Sequence, residues 1–221
     1  LSYGLENLNQ YNMFGYCFNN PNMYYDPTGE FPVLIGIAFL IYGSIAERTG
    51  ENNYENNAIA QQTFGGGYIY NQDNVDQFKM GKAGASWNGC GWIAVYNAMI
   101  MLGKPQQPAD VIYYFDNVWG NIALGAFGTN PLAIINYFAS QGFSGKYNLY
   151  PFIMPDETEE VAQNASACVM LYAHSQGMHY IAFRWNGINY TAYNASTPWF
   201  DSISEYLTNY NGTFVNIWCV T

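Results

Sequence analysis

The stretch Gly91–Leu102 (Gly-Trp-Ile-Ala-Val-Tyr-Asn-Ala-Met-Ile-Met-Leu) limits the fold more than any other part of the chain. It is apolar nearly all round at helical spacing, which describes a helix buried on every side. Asn88 supplies a start signal, and Gly103 followed by Pro105 a stop. Such a helix must have other elements packed against all its faces, and 221 residues suffice for that in one well-buried domain. Two further helices are expected at Gln107–Phe115 and Asn130–Gln141, the second ended by Gly142.

After these helices the pattern changes. Cys168–Ala173, Met178–Trp185, Ile188–Asn194 and Thr213–Val220 are short runs rich in β-branched and aromatic residues. Asn186-Gly187, between the second and third, is a strong hairpin signal. A last helix is expected over Ser202–Tyr210. Helices first and antiparallel strands second predict an α+β domain.

The first part of the chain reads differently. Residues 1–30 are loop and short strand, with a turn at Tyr24–Glu30 built on Asp26, Pro27 and Gly29. The longest apolar run, Phe31–Gly43, contains Pro32 and Gly36 and is shorter than the roughly 20 residues of a spanning helix. No secretory signal is visible. From about Glu47 to Ala85 the chain is polar and rich in Gly and Asn, and it reads as a linker or surface excursion with helical stretches near Ile45–Thr49 and Asn53–Gln62. The compact part is expected to start near Trp87, and the domain proper to span 77–221, after a connector over 31–76.

Composition removes several function classes. Half of the residues are apolar and 19% aromatic, enough to offset the ordering entropy that keeps other chains disordered. The net charge of −10 argues against nucleic acid and against a polybasic membrane mode. Gly65-Gly66-Gly67 lacks the Lys and Ser/Thr of a phosphate loop. Cys17, Cys90, Cys168 and Cys219 are widely spaced, without metal-ligand spacing, and read as mostly free thiols. No cofactor and no metal are expected.

The residues able to do chemistry lie at two places. A two-residue Asn186-Gly187 turn would pair Trp185 with Ile188, Phe183 with Tyr190, Ile181 with Ala192 and His179 with Asn194. That face should turn to the core, onto the buried helix, with the Asn194 side-chain carbonyl fixing the tautomer of His179. Cys90 stands at the first turn of the helix, where orphan N–H groups and the helix dipole favour a thiolate and lower the thiol pKa. Its own N–H is placed for a developing oxyanion. Together they make a Cys–His–Asn constellation for nucleophilic catalysis. His174, in a turn without an evident orienter, is the less favoured histidine.

Asn88-Gly89-Cys90-Gly91-Trp92-Ile93-Ala94, Asn97-Ala98, Leu102-Gly103, and downstream Met178-His179-Tyr180 and Tyr193-Asn194 resemble the papain-like cysteine peptidases, and most closely the branch with the bacteriocin-processing (C39-type) domains. The resemblance implies a central helix carrying the nucleophile packed on an antiparallel sheet carrying the base and its orienter, roles that map to Cys90, His179 and Asn194. The family usually places a Gln several residues before the Cys as an oxyanion donor. Here the segment Gly81–Asn88 has none, which leaves Asn88 and the more distant Gln77 as candidates.

The N-terminal piece carries a second resemblance. Gly4-Leu5-Glu6-Asn7-Leu8, Tyr11-Asn12, Tyr16, Asn19-Asn20-Pro21 and Asp26-Pro27-Thr28-Gly29-Glu30 are similar to the end of an RHS/YD-repeat core. The family self-cleaves just after this motif, and Asp26 matches its aspartate, whereas Glu30 stands where cleaving members usually carry Leu. The two resemblances imply the C-terminal effector of a secreted or cell-surface bacterial toxin. Its partners would be a protein or peptide substrate, an immunity protein and the RHS shell of the parent chain, with no nucleic acid and no stable membrane insertion. Hydrolysis of peptide or amide bonds leads. Deamidation or acyl transfer by the same triad, and a non-catalytic papain-like binding domain, stay open beside it.

Overall fold

A computed structural model describes residues 48–221 apart from 118, 119, 123, 127, 149 and 150. Residues 1–47, and with them Asp26, Cys17 and the RHS-like motif, lie outside the described residues. Helix α1 covers residues 48–61. A 3-10 turn, Gln72–Val75, then leads to the short strands β1 (Lys79–Met80) and β2 (Ala83–Gly84). Helices α2 (Ala85–Asn88), α3 (Cys90–Met101), α4 (Pro108–Asn117) and α5 (Pro131–Ser140) follow. Beyond them come β3 (Gly145–Tyr147), α6 (Thr158–Gln163), β4 (Ala167–His174), β5 (Gly177–Trp185), β6 (Tyr190–Tyr193), β7 (Trp199–Phe200), α7 (Ile203–Asn209) and β8 (Thr213–Val220). The architecture is α+β, with an antiparallel six-stranded sheet in the order β3-β8-β4-β5-β6-β7.

Helix α3 is buried as its composition requires: Trp92, Ile93, Ala94, Val95, Ala98 and Met99 are fully inaccessible. It packs on one face of the sheet, through Val169, Leu171, Tyr180, Ala182, Tyr193 and Trp218, and on its other sides against α4 and the residues before α2. The opposite face of the sheet forms a second core. There Cys168, Met170, Tyr172, Ile181, Phe183, Tyr190 and Ala192 meet Ala162 of α6 and Ile203, Tyr206 and Leu207 of α7.

Two expectations are corrected. The described part of the expected connector, residues 48–76, is built into the compact unit. Gly50, Asn53 and Asn57 make the buried face of α1. The Asn57 amide pairs with both backbone groups of Lys79 (2.8 and 2.9 Å). Asn53 donates to the Gly81 carbonyl at 2.7 Å and to Asp116 at 2.9 Å. Asn97 of α3 likewise holds both backbone groups of Ile69 (2.9 and 2.8 Å), and Ile69 and Val75 join the core. Amide side chains that imitate a strand partner allow a polar segment to be buried, and they leave no hydrophobic periodicity to read.

The hairpin register is also shifted. Trp185 pairs with Tyr190 and Phe183 with Ala192, so the loop has four residues instead of two. Asn186 causes this: its Oδ1 accepts the N–H groups of Ile188 (3.0 Å) and Asn189 (3.1 Å), making a side-chain turn of its own. A shift by two leaves each side chain on the same face. That face is nevertheless the one covered by α6 and α7. The buried helix α3 faces Tyr180 and Ala182, not Ile181 and Phe183.

Candidate active site

The α2–α3 junction places Cys90. Gly89 is helical (φ −74°, ψ −17°) and caps α3 without a side-chain bond, and its N–H donates to the Ala85 carbonyl at 2.8 Å. Gly91 follows because a Cβ there would collide with the side chain of Thr129. Cys90 is half-buried and free. The backbone N–H groups of Tyr180, Gly91 and Cys90 itself favour its thiolate, but burial outweighs them and pushes the thiol up. This corrects the expected lowering: donors at a helix start stabilise an anion only to the extent that they replace lost water.

His179 stands on the strand side. Strand β6 ends at Tyr193, opposite Ala182, so the part of β5 before Ile181 has no β6 partner. Into that gap the Tyr180 N–H points toward the Cys90 sulfur. His179 is the preceding residue. Its ring belongs to the α7 face, edge-on to Tyr172 at 5.9 Å. The imidazole therefore lies on the face of the sheet opposite α3.

Asn194 holds the imidazole by a group other than the expected one. His179 Nε2 lies 2.7 Å from the backbone carbonyl of Asn194, which accepts its N–H and leaves Nδ1 as the basic nitrogen. The carbonyl is turned to the ring by a left-handed backbone at Asn194 (φ +53°). The Asn194 amide is spent elsewhere: Oδ1 accepts the Gln72 N–H at 3.0 Å and Nδ2 donates to Gln72 Oε1 at 3.3 Å. Gln72 Nε2 in turn donates to the Ser86 carbonyl at 2.7 Å, tying the pair to the start of α2. Burial lowers the His179 pKa, the Asn194 carbonyl opposes this, and nearby His174 adds to the lowering.

The two expected oxyanion amides are not brought to the thiol. Asn88 is buried, and its NH2 donates to the carbonyls of Met80 (2.7 Å) and Gly125 (3.0 Å), while its Oδ1 has no partner. It pins β1 and the loop at Gly125, and it does not cap α3. Gln77 is exposed in the turn before β1. Sequence reasoning missed Gln72, and its only visible signal was an amide near the start of the compact part. His174 lies beside the site, its ring 6.4 Å from that of His179. Both histidines line a cleft of about 330 Å3 with Tyr172, Gln176, Ser196 and Tyr210. Trp87, three residues before Cys90, is 74% accessible, and Met178, the residue before His179, is 62% accessible. Among the described residues no group of three or more His, Cys, Asp or Glu side chains is gathered as a metal centre, and no helix is long and apolar enough to cross a membrane.

The sequence matches no protein-family model and no curated protein sequence.

Proposed function

We propose that residues 46–221 form a papain-like thiol enzyme that hydrolyses peptide or amide bonds, with Cys90 as nucleophile, His179 as base and Asn194 as the residue that orients the base. The observation that carries this reading is a pair of contacts made by neighbouring residues of β5. The Cys90 thiol meets the N–H of Tyr180, and the residue before it in the chain, His179, has its tautomer fixed by a carbonyl. In the resting state burial holds the thiol up and the imidazole down, so both are neutral. The proton then moves from sulfur to His179 Nδ1 as the sulfur attacks the acyl carbon, and general-base transfer replaces a standing ion pair.

In the tetrahedral intermediate the N–H groups at the start of α3, which meet the sulfur in the free enzyme, are the donors nearest the new oxyanion. His179 returns its proton to the leaving amine. Water, deprotonated by the same nitrogen, then hydrolyses the thioester. The RHS-like motif of residues 1–30 adds the context of a toxin effector released from a larger parent, with a protein target and an immunity partner.

A peptidyl epoxide that alkylates thiols by a substrate-like attack tests the reading. Wild type is expected to be modified at Cys90 alone among its four cysteines, and His179→Ala to react about 100-fold or more slowly while still folded. Modification of Cys90 at the rate of free cysteine, unchanged by the substitution, would favour the non-catalytic binding domain instead.

A further inference from the structure

Cys168 and Cys219 have no part in the site above. They stand directly opposite one another in register on the adjacent antiparallel strands β4 and β8. Their sulfurs are 3.7 Å apart, with both residues buried and both thiols free. Opposed residues of an antiparallel pair have Cα atoms about 4.5–5.5 Å apart, inside the 4.4–6.8 Å window of disulfides. Bonding contact at about 2.05 Å therefore asks for side-chain rotation and a small approach, with no change of fold.

Of the two, Cys219 is the nearer to solvent, at 2% exposure against none for Cys168. Cys219 lines a cleft of about 400 Å3 together with Lys146, Tyr147, Glu157 and Val161. Lys146 is its register partner on β3. Cys168 lies deeper, against the carbonyl of Ala162, and burial and the neighbouring Cys219 push its thiol well up. Exchange thus starts at Cys219.

We propose that Cys168 and Cys219 are a redox-active pair that closes to a disulfide under oxidising conditions and staples the C-terminal strand β8 to β4. With a small-molecule disulfide as oxidant, the Cys219 thiolate attacks one sulfur, forms a mixed disulfide and expels one thiol. The Cys168 thiolate then attacks the Cys219 sulfur and expels the second. The protein loses two protons and two electrons, and the oxidant gains both as two thiols. The bond would close a loop of about 50 residues around β5, β6, β7 and α7, including His179 and Asn194. Formation of the pair needs nothing from the catalytic reading and stands if that reading fails.

The test uses the whole chain as Cys90→Ser, equilibrated in glutathione buffers from fully reduced to fully oxidised. It is then denatured in iodoacetamide and mapped by mass spectrometry. The expected result is a cross-linked peptide joining Cys168 to Cys219, lighter by two hydrogens, with no glutathione retained on either. In Cys168→Ala, Cys219 should remain alkylatable or keep glutathione. Oxidation should raise Tm by roughly 5–15 °C, an increment absent from that variant. The proposal is overturned if both cysteines stay alkylatable in the oxidised buffer, or if either pairs with Cys17 or glutathione in place of the other. A bond that forms and leaves Tm unchanged or lower overturns the stapling role.

Discussion

The two faces of the central sheet are buried by different chemistry. Under α3 the cover is a continuous apolar helix, with Trp92, Ile93 and Val95 fully inaccessible. Under α6 and α7 it is aromatic and hydrogen-bonded. The Tyr172 and Tyr206 hydroxyls lie 3.2 Å apart, and Glu159 accepts from the Tyr190 hydroxyl at 3.0 Å and from N–H groups at the start of α7. The first face supplies mass and rigidity behind Cys90. The second carries the imidazole, its companion His174 and a polar cleft. A site assembled from both can have a thiol fixed by packing and a base adjusted by hydrogen bonds.

Trp92→Ala is the largest expected disturbance of that contrast. It removes a fully buried indole from the helix that carries Cys90, and should cost about 3–5 kcal/mol by urea denaturation. A loss below about 1 kcal/mol would mean that the α3 face is not the rigid one.

Replacing Asn194 divides the roles of its carbonyl and its amide. Asn194→Ala must hold a left-handed backbone at a cost of about 1–2 kcal/mol and loses both bonds to Gln72, so the rate of epoxide inactivation should fall about 10–100-fold. Asn194→Gly loses the amide but adopts φ +53° freely, and should keep most of the rate because the carbonyl stays in place. Equal losses in the two variants would move the orienting role to the Gln72–Asn194 amide pair.

The smallest effect concerns pH. With the His179 pKa lowered, the imidazole stays neutral to below the ordinary histidine value of about 6.5, so the acid limb of inactivation should fall below that pH. His174→Ala removes the lesser of the two lowering causes. The limb should therefore move up and still stay below 6.5, because burial remains. A limb unchanged in the variant would take His174 out of the site's electrostatics.

Local chemistry was legible in the sequence wherever one residue type did one job. The buried helix, its end at Gly103 and the strands β4, β5 and β8 follow from apolar pattern and stop signals, and they fall within a few residues of the prediction. His179 and Asn194 were readable as a pair from residue types and spacing, and the fold does join them, through the Asn194 carbonyl. The buried face of α1 was not readable, because Asn53 and Asn57 look like surface residues until their backbone partners are placed. Gln72 was hidden for the same reason.

Composition and periodicity by themselves determined that this chain folds around α3 and pairs its later strands antiparallel, since both depend on near neighbours and on removing apolar surface from water. Only the tertiary structure decided which face of the sheet α3 covers. It also decided that Asn194 acts on His179 through its backbone, and that the Cys90 thiol is held up where a helix start alone would bring it down. Those outcomes depend on distant residues, among them Gln72 and Tyr180, and on how much water the packed chain excludes. No window of sequence contains that quantity.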